Sequence, residues 1–183
     1  ISYFYSNVAG CSNSYTESVI VLEDAAVSFG GLNSEYCMNS SPSNLMGNPE
    51  GGTFSGAGIN GNVFDPAQAG AGTHTITYTY FSDGSDTLTS SQNTTVYELP
   101  DVNFTGLEQN YCAYDMDISL TGSPEGGIFS GMGVQDNIFN PELAGEGIHQ
   151  VTYTYTSDQA CENSQTRSVT VFALPEVNIS GLD

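Results

Sequence analysis

The chain repeats itself, and whatever it folds into must be a unit of about 75 residues that can be used more than once. Laid on residues 102–176 without a gap, residues 27–101 give 33 identities in 75 positions. LMGNPEGGTFSGAG at 45–58 falls on LTGSPEGGIFSGMG at 120–133, and VYELPDVNFTGL at 96–107 falls on VFALPEVNISGL at 171–182. In the same register ISYFY at 1–5 falls on ITYTY at 76–80. Such self-similarity is the signature of repeat architectures, in which one small unit stacks on its neighbours. The register divides the chain into the C-terminal part of a preceding repeat (1–24), two complete repeats (25–99 and 100–174) and the first strand of a following one (175–183). It reads the chain as a window on a longer tandem array.

Within a unit the signals are those of short strands. In the second copy HQVTYTY at 149–155 is rich in β-branched and aromatic residues and alternates strictly, with Tyr on one face and Thr on the other, the pattern of a half-buried strand. Further strands are expected at Val102–Phe104, from Ile118 to Gly122, from Ile128, at Asn137–Phe139 and at Ser168–Phe172. Ser123-Pro124-Glu125-Gly126-Gly127 and Ala144-Gly145-Glu146-Gly147 read as turns. Leu99-Pro100 and Leu174-Pro175 mark the joints, because proline cannot donate to a ladder. No segment shows helical periodicity. Six or seven short strands per unit, with one aromatic-rich face to bury, predict an all-β fold of tandem small immunoglobulin-like β-sandwich repeats of about 75 residues.

Charge narrows the function. There are 21 acidic residues against one base, Arg167, and the net charge is −20. Phosphate backbones are bound by Lys and Arg, so nucleic acid is excluded as a partner. An anionic membrane surface is disfavoured for the same reason, and no apolar run approaches the roughly 18 residues of a spanning helix.

Four cysteines are present: Cys11, Cys37, Cys112 and Cys161. Cys37 and Cys112 share one repeat position; Cys11 and Cys161 share another, where the first complete unit has Asp86. Two pairings are open: Cys112–Cys161 within a repeat, or Cys11–Cys37 across a joint. Extended chain separates the latter pair, which favours Cys112–Cys161. Four free thiols in a reducing compartment are the remaining alternative; Gly/Ser/Thr-rich acidic β repeats suit an oxidising one.

Reactive chemistry has few candidates. His74 and His149 recur singly, as structural polar residues do, and neither HExxH nor Cys-x-x-Cys occurs. No GxSxG elbow is present. Asp83-Gly84-Ser85-Asp86 and Asp115-Met116-Asp117 hold oxygen ligands of the kind calcium takes, but neither motif is kept in the other repeat. Glu50 and Glu125 do recur, as turn carboxylates accepting backbone N–H bonds. PEGGxFSGxG lacks the lysine and helix of a phosphate loop. N-glycan sequons stand at Asn39, Asn93, Asn103 and Asn178. The sequence thus predicts no enzyme, no cofactor and no metal.

Taken together, the run Tyr-Cys…Leu-x-Gly-x-Pro-x-Gly-Gly-x-Phe-Ser-Gly-x-Gly…Phe-x-Pro…Ala-Gly-x-Gly-x-His-x-(Ile/Val)-Thr-Tyr-Thr-Tyr…Cys…Val resembles the repeats of giant secreted proteins of Bacteroidota. These include gliding-motility adhesins of the SprB type and other cargo of the type IX secretion system. The resemblance implies export to the cell surface, an immunoglobulin-like fold and paired cysteines, matched here by Cys112 and Cys161. It also implies Asp-Ser/Thr-apolar O-glycan sites, which Asp86-Thr87-Leu88 fits. The expected role is a structural spacer in an extracellular surface adhesin. The alternatives are a glycan- or protein-binding module using loop aromatics such as Tyr111 and Tyr114, or the stalk of a secreted enzyme. Expected partners are neighbouring repeats of the same chain, with surface glycans and outer-membrane or secretion components as further candidates.

Overall fold

In a computed structural model, residues 1–18, 26–82 and 87–178 are described. A hairpin of β1 (Ser2–Ser6) and β2 (Ser12–Thr16) comes first. The first complete unit contains β3 (Ser28–Gly30), β4 (Glu35–Cys37), β5 (Ser43–Asn44), β6 (Met46–Asn48), β7 (Thr53–Ser55), β8 (Ile59–Asn60), β9 (Val63–Phe64), a one-turn helix α1 (Pro66–Ala69), β10 (Gly72–Phe81) and β11 (Thr87–Tyr97). The second contains β12 (Asn103–Thr105), β13 (Asn110–Cys112), β14 (Ile118–Ser119), β15 (Thr121–Ser123), β16 (Ile128–Gly131), β17 (Val134–Gln135), β18 (Ile138–Phe139), α2 (Pro141–Ala144), β19 (Gly147–Thr156) and β20 (Glu162–Phe172).

Each unit is built on a long antiparallel hairpin, β10–β11 or β19–β20. Its sequence explains why. Along THTITYTYF the residues Ile76 and Tyr78 point inward and are fully buried. The Thr hydroxyls on the other face bond across the ladder, Thr77 to Ser91 at 2.8 Å and Thr75 to Asn93 at 2.9 Å. Two short strands extend the hairpin into a four-stranded sheet, in the order β4-β11-β10-β7 or β13-β20-β19-β16. The first strand of each set pairs parallel to the hairpin and the last antiparallel.

The remaining strands form two small sheets per unit, β3-β6 with β5-β9-β8, and β12-β15 with β14-β18-β17. They supply the second layer. Phe29 on β3 meets Phe54 on β7 edge-on at 5.3 Å, and Tyr36 on β4 meets Phe64 on β9 at 5.2 Å. The fold is therefore an all-β, immunoglobulin-like sandwich, used in tandem. The two cores are the same core. Phe29, Leu45, Phe64, Ile76, Tyr78 and Val96 are buried in one unit, and Phe104, Leu120, Phe139, Val151, Tyr153 and Val171 in the other, each 75 positions on.

The β1–β2 hairpin has the register of the long hairpins and lacks the rest of a unit. Tyr3 corresponds to Tyr78 but is 67% exposed, against 1% for Tyr78.

Several local expectations change. Ile118–Gly122 is not one strand. It breaks at Leu120, which is buried, and β14 and β15 pair into different sheets. One-turn helices, which the absence of helical periodicity did not announce, follow β9 and β18. Asp65 and Asn140 accept amide hydrogens from Ala67 (3.0 Å) and Leu143 (2.7 Å), and proline follows as the first helical residue. These are ordinary helix-start signals, too brief to produce a period. The 24/25 boundary and residues 179–183 lie outside the described residues, as does Asp83-Gly84-Ser85-Asp86.

Candidate functional site at the joint between units

β4 lies parallel to the last residues of β11, so Cys37 pairs with Tyr97 where the chain leaves the first unit. Beyond Cys37 the chain turns tightly. Met38 N–H donates to the Tyr97 carbonyl (3.0 Å), and Ser40 N–H donates to the Cys37 carbonyl (2.9 Å). The Ser40 hydroxyl in turn accepts from Cys37 N–H at 3.0 Å. We call this the seat.

Cys161 sits at the tip of the β19–β20 hairpin, in the turn 157–161. Ser157 N–H donates to the Cys161 carbonyl and Ala160 N–H to the Ser157 carbonyl, both at 2.9 Å. Ala160 takes a positive φ of 60° to close the turn. The tip lies at the opposite end of β20 from Phe172, where the chain leaves the second unit, and so it faces the first unit.

Seat and tip are joined. Cys37 and Cys161 form a disulfide with their Cα atoms 5.5 Å apart, bridging 124 positions of sequence. Beside it, Asn39 Nδ2 donates to the Glu162 carbonyl across the joint at 3.3 Å. Asn163 Nδ2 donates to the carbonyl of Pro100, in the Leu-Pro linker, at 2.9 Å.

This corrects the expected pairing Cys112–Cys161. Cys112 pairs with Phe172 at one end of β20, and Cys161 stands before the other end of that eleven-residue strand. At roughly 3.3 Å per residue the two are roughly 35 Å apart. A disulfide needs Cα atoms within about 7 Å. Cys11–Cys37 does not form either. Cys11 and Cys112 are free and exposed. The linear reading failed because it treated extended chain as separating the units. Head-to-tail stacking instead folds the second hairpin back onto the joint.

The recurring glycines and tyrosine have a structural role. The Tyr78 hydroxyl donates to the Pro49 carbonyl and accepts from Gly52 N–H at 2.8 Å. Tyr153 does the same with Pro124 and Gly127. A Cβ on Gly47 or Gly52, or on Gly122 or Gly127, would fall on the tyrosine ring. Thus the tyrosine hydroxyl, not the exposed Glu50 or Glu125 carboxylate, takes these turn amides. His74 and His149 are structural in both units. Each Nε2 lies 2.8 Å from the carbonyl of Gly70 or Gly145, closing the end of the short helix.

The other candidates are dispersed. Asp115 accepts from Cys112 N–H at 2.7 Å, and Asp117 accepts from Asn140 Nδ2 at 2.6 Å. Among the described residues, no group of three or more His, Cys, Asp or Glu side chains is placed to hold a metal. Tyr111 packs on Phe139 at 5.7 Å and its hydroxyl accepts from Glu108 N–H, so it belongs to the core rather than to a binding loop. Tyr114 is exposed. Arg167, the single base, lies 4.8 Å from the Phe104 ring centre and donates to Asn103 Oδ1 at 2.8 Å. Among the described residues no helix is long and apolar enough to cross a membrane.

No family profile and no curated protein matches the chain. Among solved structures it is similar to the fibronectin(III)-like modules of Clostridium thermocellum CbhA, at 14% identity and a TM-score of 0.35, covering 85% of this chain and all of that one. It is also similar to a calcium-stabilised adhesin with which an Antarctic bacterium reaches out and binds ice, at 12% identity and a TM-score of 0.40. That match covers 93% of this chain and 56% of the adhesin chain. At these scores the fold assignment rests on the sheet topology and core described above.

Proposed function

We propose that the chain is a load-bearing spacer of an extracellular adhesin, in which each unit adds length and the joint between units is made covalent. The observation that carries this reading is the Cys37–Cys161 bond. Under tension along the chain, the load passes from Cys37 directly to Cys161 and bypasses the residues between them, which hold most of both cores. Without the bond, unfolding that stretch of 124 positions would release about 400 Å of extended chain. With it, none of that length is released.

The other features agree with a spacer. Polar clusters do not recur between units, while core positions do. A net charge of −20 keeps long chains apart and soluble. A disulfide suits a compartment outside the cytosol. The resemblance to secreted Bacteroidota repeats makes a surface adhesin of the gliding-motility type, exported by the type IX system, the specific form of this proposal. It includes no catalytic role.

Single-molecule pulling of the chain from its two ends tests the proposal. The oxidised chain is expected to yield about 400 Å less total extension than the reduced chain. Equal extensions, with and without reductant, would remove the load-bearing role.

A further inference from the structure

We infer that Cys112 and Cys11 are the two halves of further inter-unit staples. Cys112 is a seat for the hairpin-tip cysteine of a following unit, and Cys11 is a tip for the seat cysteine of a preceding one. The inference does not depend on the load-bearing reading. It rests on the fact that the same chain shows the bond once in its completed form.

The seat at Cys112 is built as the seat at Cys37 is. Cys112 pairs with Phe172 as Cys37 pairs with Tyr97. Ala113 N–H donates to the Phe172 carbonyl, and Asp115 N–H to the Cys112 carbonyl, both at 3.0 Å. Asp115 Oδ2 accepts from Cys112 N–H, in the place of the Ser40 hydroxyl. The exit end of the second unit therefore presents a thiol in the geometry that is disulfide-bonded in the first.

The tip at Cys11 matches the tip at Cys161 equally well. β1 and β2 pair in the register of β19 and β20, with Ser6 opposite Ser12 as Thr156 is opposite Glu162. Asn7 N–H donates to the Cys11 carbonyl at 2.9 Å, and Gly10 N–H to the Asn7 carbonyl at 3.0 Å. Gly10 takes the positive φ that Ala160 takes. Both thiols are exposed.

The pattern also says where a staple is missing. In the 75-residue register the first complete unit has Asp86 where the second has Cys161, so that position offers no thiol to a preceding seat, while Cys161 is bonded to Cys37. Whether a joint is stapled then depends on one residue per unit, cysteine at 11 and 161 and aspartate at 86. Formation of each is a simple oxidation. Two thiols lose two protons and two electrons to a disulfide oxidant such as glutathione disulfide, which is reduced to two thiols.

The test is a chain extended by one unit: residues 1–176 followed by a second copy of 102–183, with Cys112→Ser in the added copy. It is refolded in a glutathione buffer, and free thiols are alkylated and counted. The Cys37–Cys161 bond in the same molecule reports that the units have folded. The expected result is one alkylated thiol, Cys11, with Cys112 bonded to the added tip. Changing the added tip cysteine to Asp, as at position 86, is expected to return Cys112 to the alkylated pool. Three alkylated thiols in the first chain, with Cys37–Cys161 intact, would overturn the inference.

Discussion

Thr94 is a flaw in the first core that the second core lacks. Its side chain is 1% exposed and its Oγ1 has no hydrogen-bond partner. It lies opposite His74 across the β10–β11 ladder, but the His74 ring is turned to the Gly70 carbonyl and leaves the hydroxyl alone. The equivalent residue in the second unit is Val169, which is equally buried. Valine has nearly the shape of threonine without the polar atom. An unsatisfied buried hydroxyl costs about 1–3 kcal/mol. Thr94→Val is therefore expected to stabilise the first unit by about 1–2 kcal/mol, the lower part of that range, because some relaxation already eases the cost. For a unit of this size that is a rise of about 4–16 °C in melting temperature. Val169→Thr should lower the stability of the second unit by a similar amount. Differential scanning calorimetry of both variants, at fixed protein concentration and in the oxidised state, measures both effects. If Thr94→Val lowers the melting temperature while Val169→Thr leaves it unchanged, the polar-satisfaction argument fails.

Tyr153→Phe keeps the ring but removes the bond to the Pro124 carbonyl and strands Gly127 N–H; a loss of about 1–3 kcal/mol is expected in urea unfolding. Arg167→Gln should be nearly neutral, since the first unit has Gln92 there, donating to the Phe29 carbonyl at 2.6 Å. Arg167→Ala should cost about 0.5–1 kcal/mol for the lost stacking on Phe104, read by the same unfolding curves. The Glu35 carboxylate accepts the Tyr97 hydroxyl at 3.1 Å and so holds that phenol above the ordinary 10.0, with partial burial adding to the effect. The bond's contribution is present below the unfolded value and is lost as pH rises through the higher folded value. In ultraviolet difference titration of Glu35→Gln against the parent chain, the Tyr97 ionisation is expected to move down toward the ordinary value.

Much of the unit was legible because its information is local or repeated. The alternation in THTITYTYF and HQVTYTYT announces the long hairpin, and the 75-residue register carries each core position from one unit to the next. The sheet switch at Leu120 was not legible, because two-residue strands on either side share one alternation. Cys37–Cys161 was hidden for a different reason. Its two ends lie 124 positions apart, and only head-to-tail stacking brings an exit-end seat to the neighbouring hairpin tip. One signal was available: positions 37 and 112 share a place in the repeat, as do 11 and 161. Bonding between successive units satisfies that register as well as bonding within one does. The role of the PEGG glycines was visible as a need for backbone room, but not that a tyrosine ring takes it.

The two units are joined covalently through Cys37 and Cys161. Peptide mapping of the oxidised chain under non-reducing conditions, with free thiols alkylated first, reads this out. A linked pair of peptides containing Cys37 and Cys161, with Cys11 and Cys112 alkylated, is the predicted result. A Cys112–Cys161 or Cys11–Cys37 pair in its place would contradict the covalent joint between units.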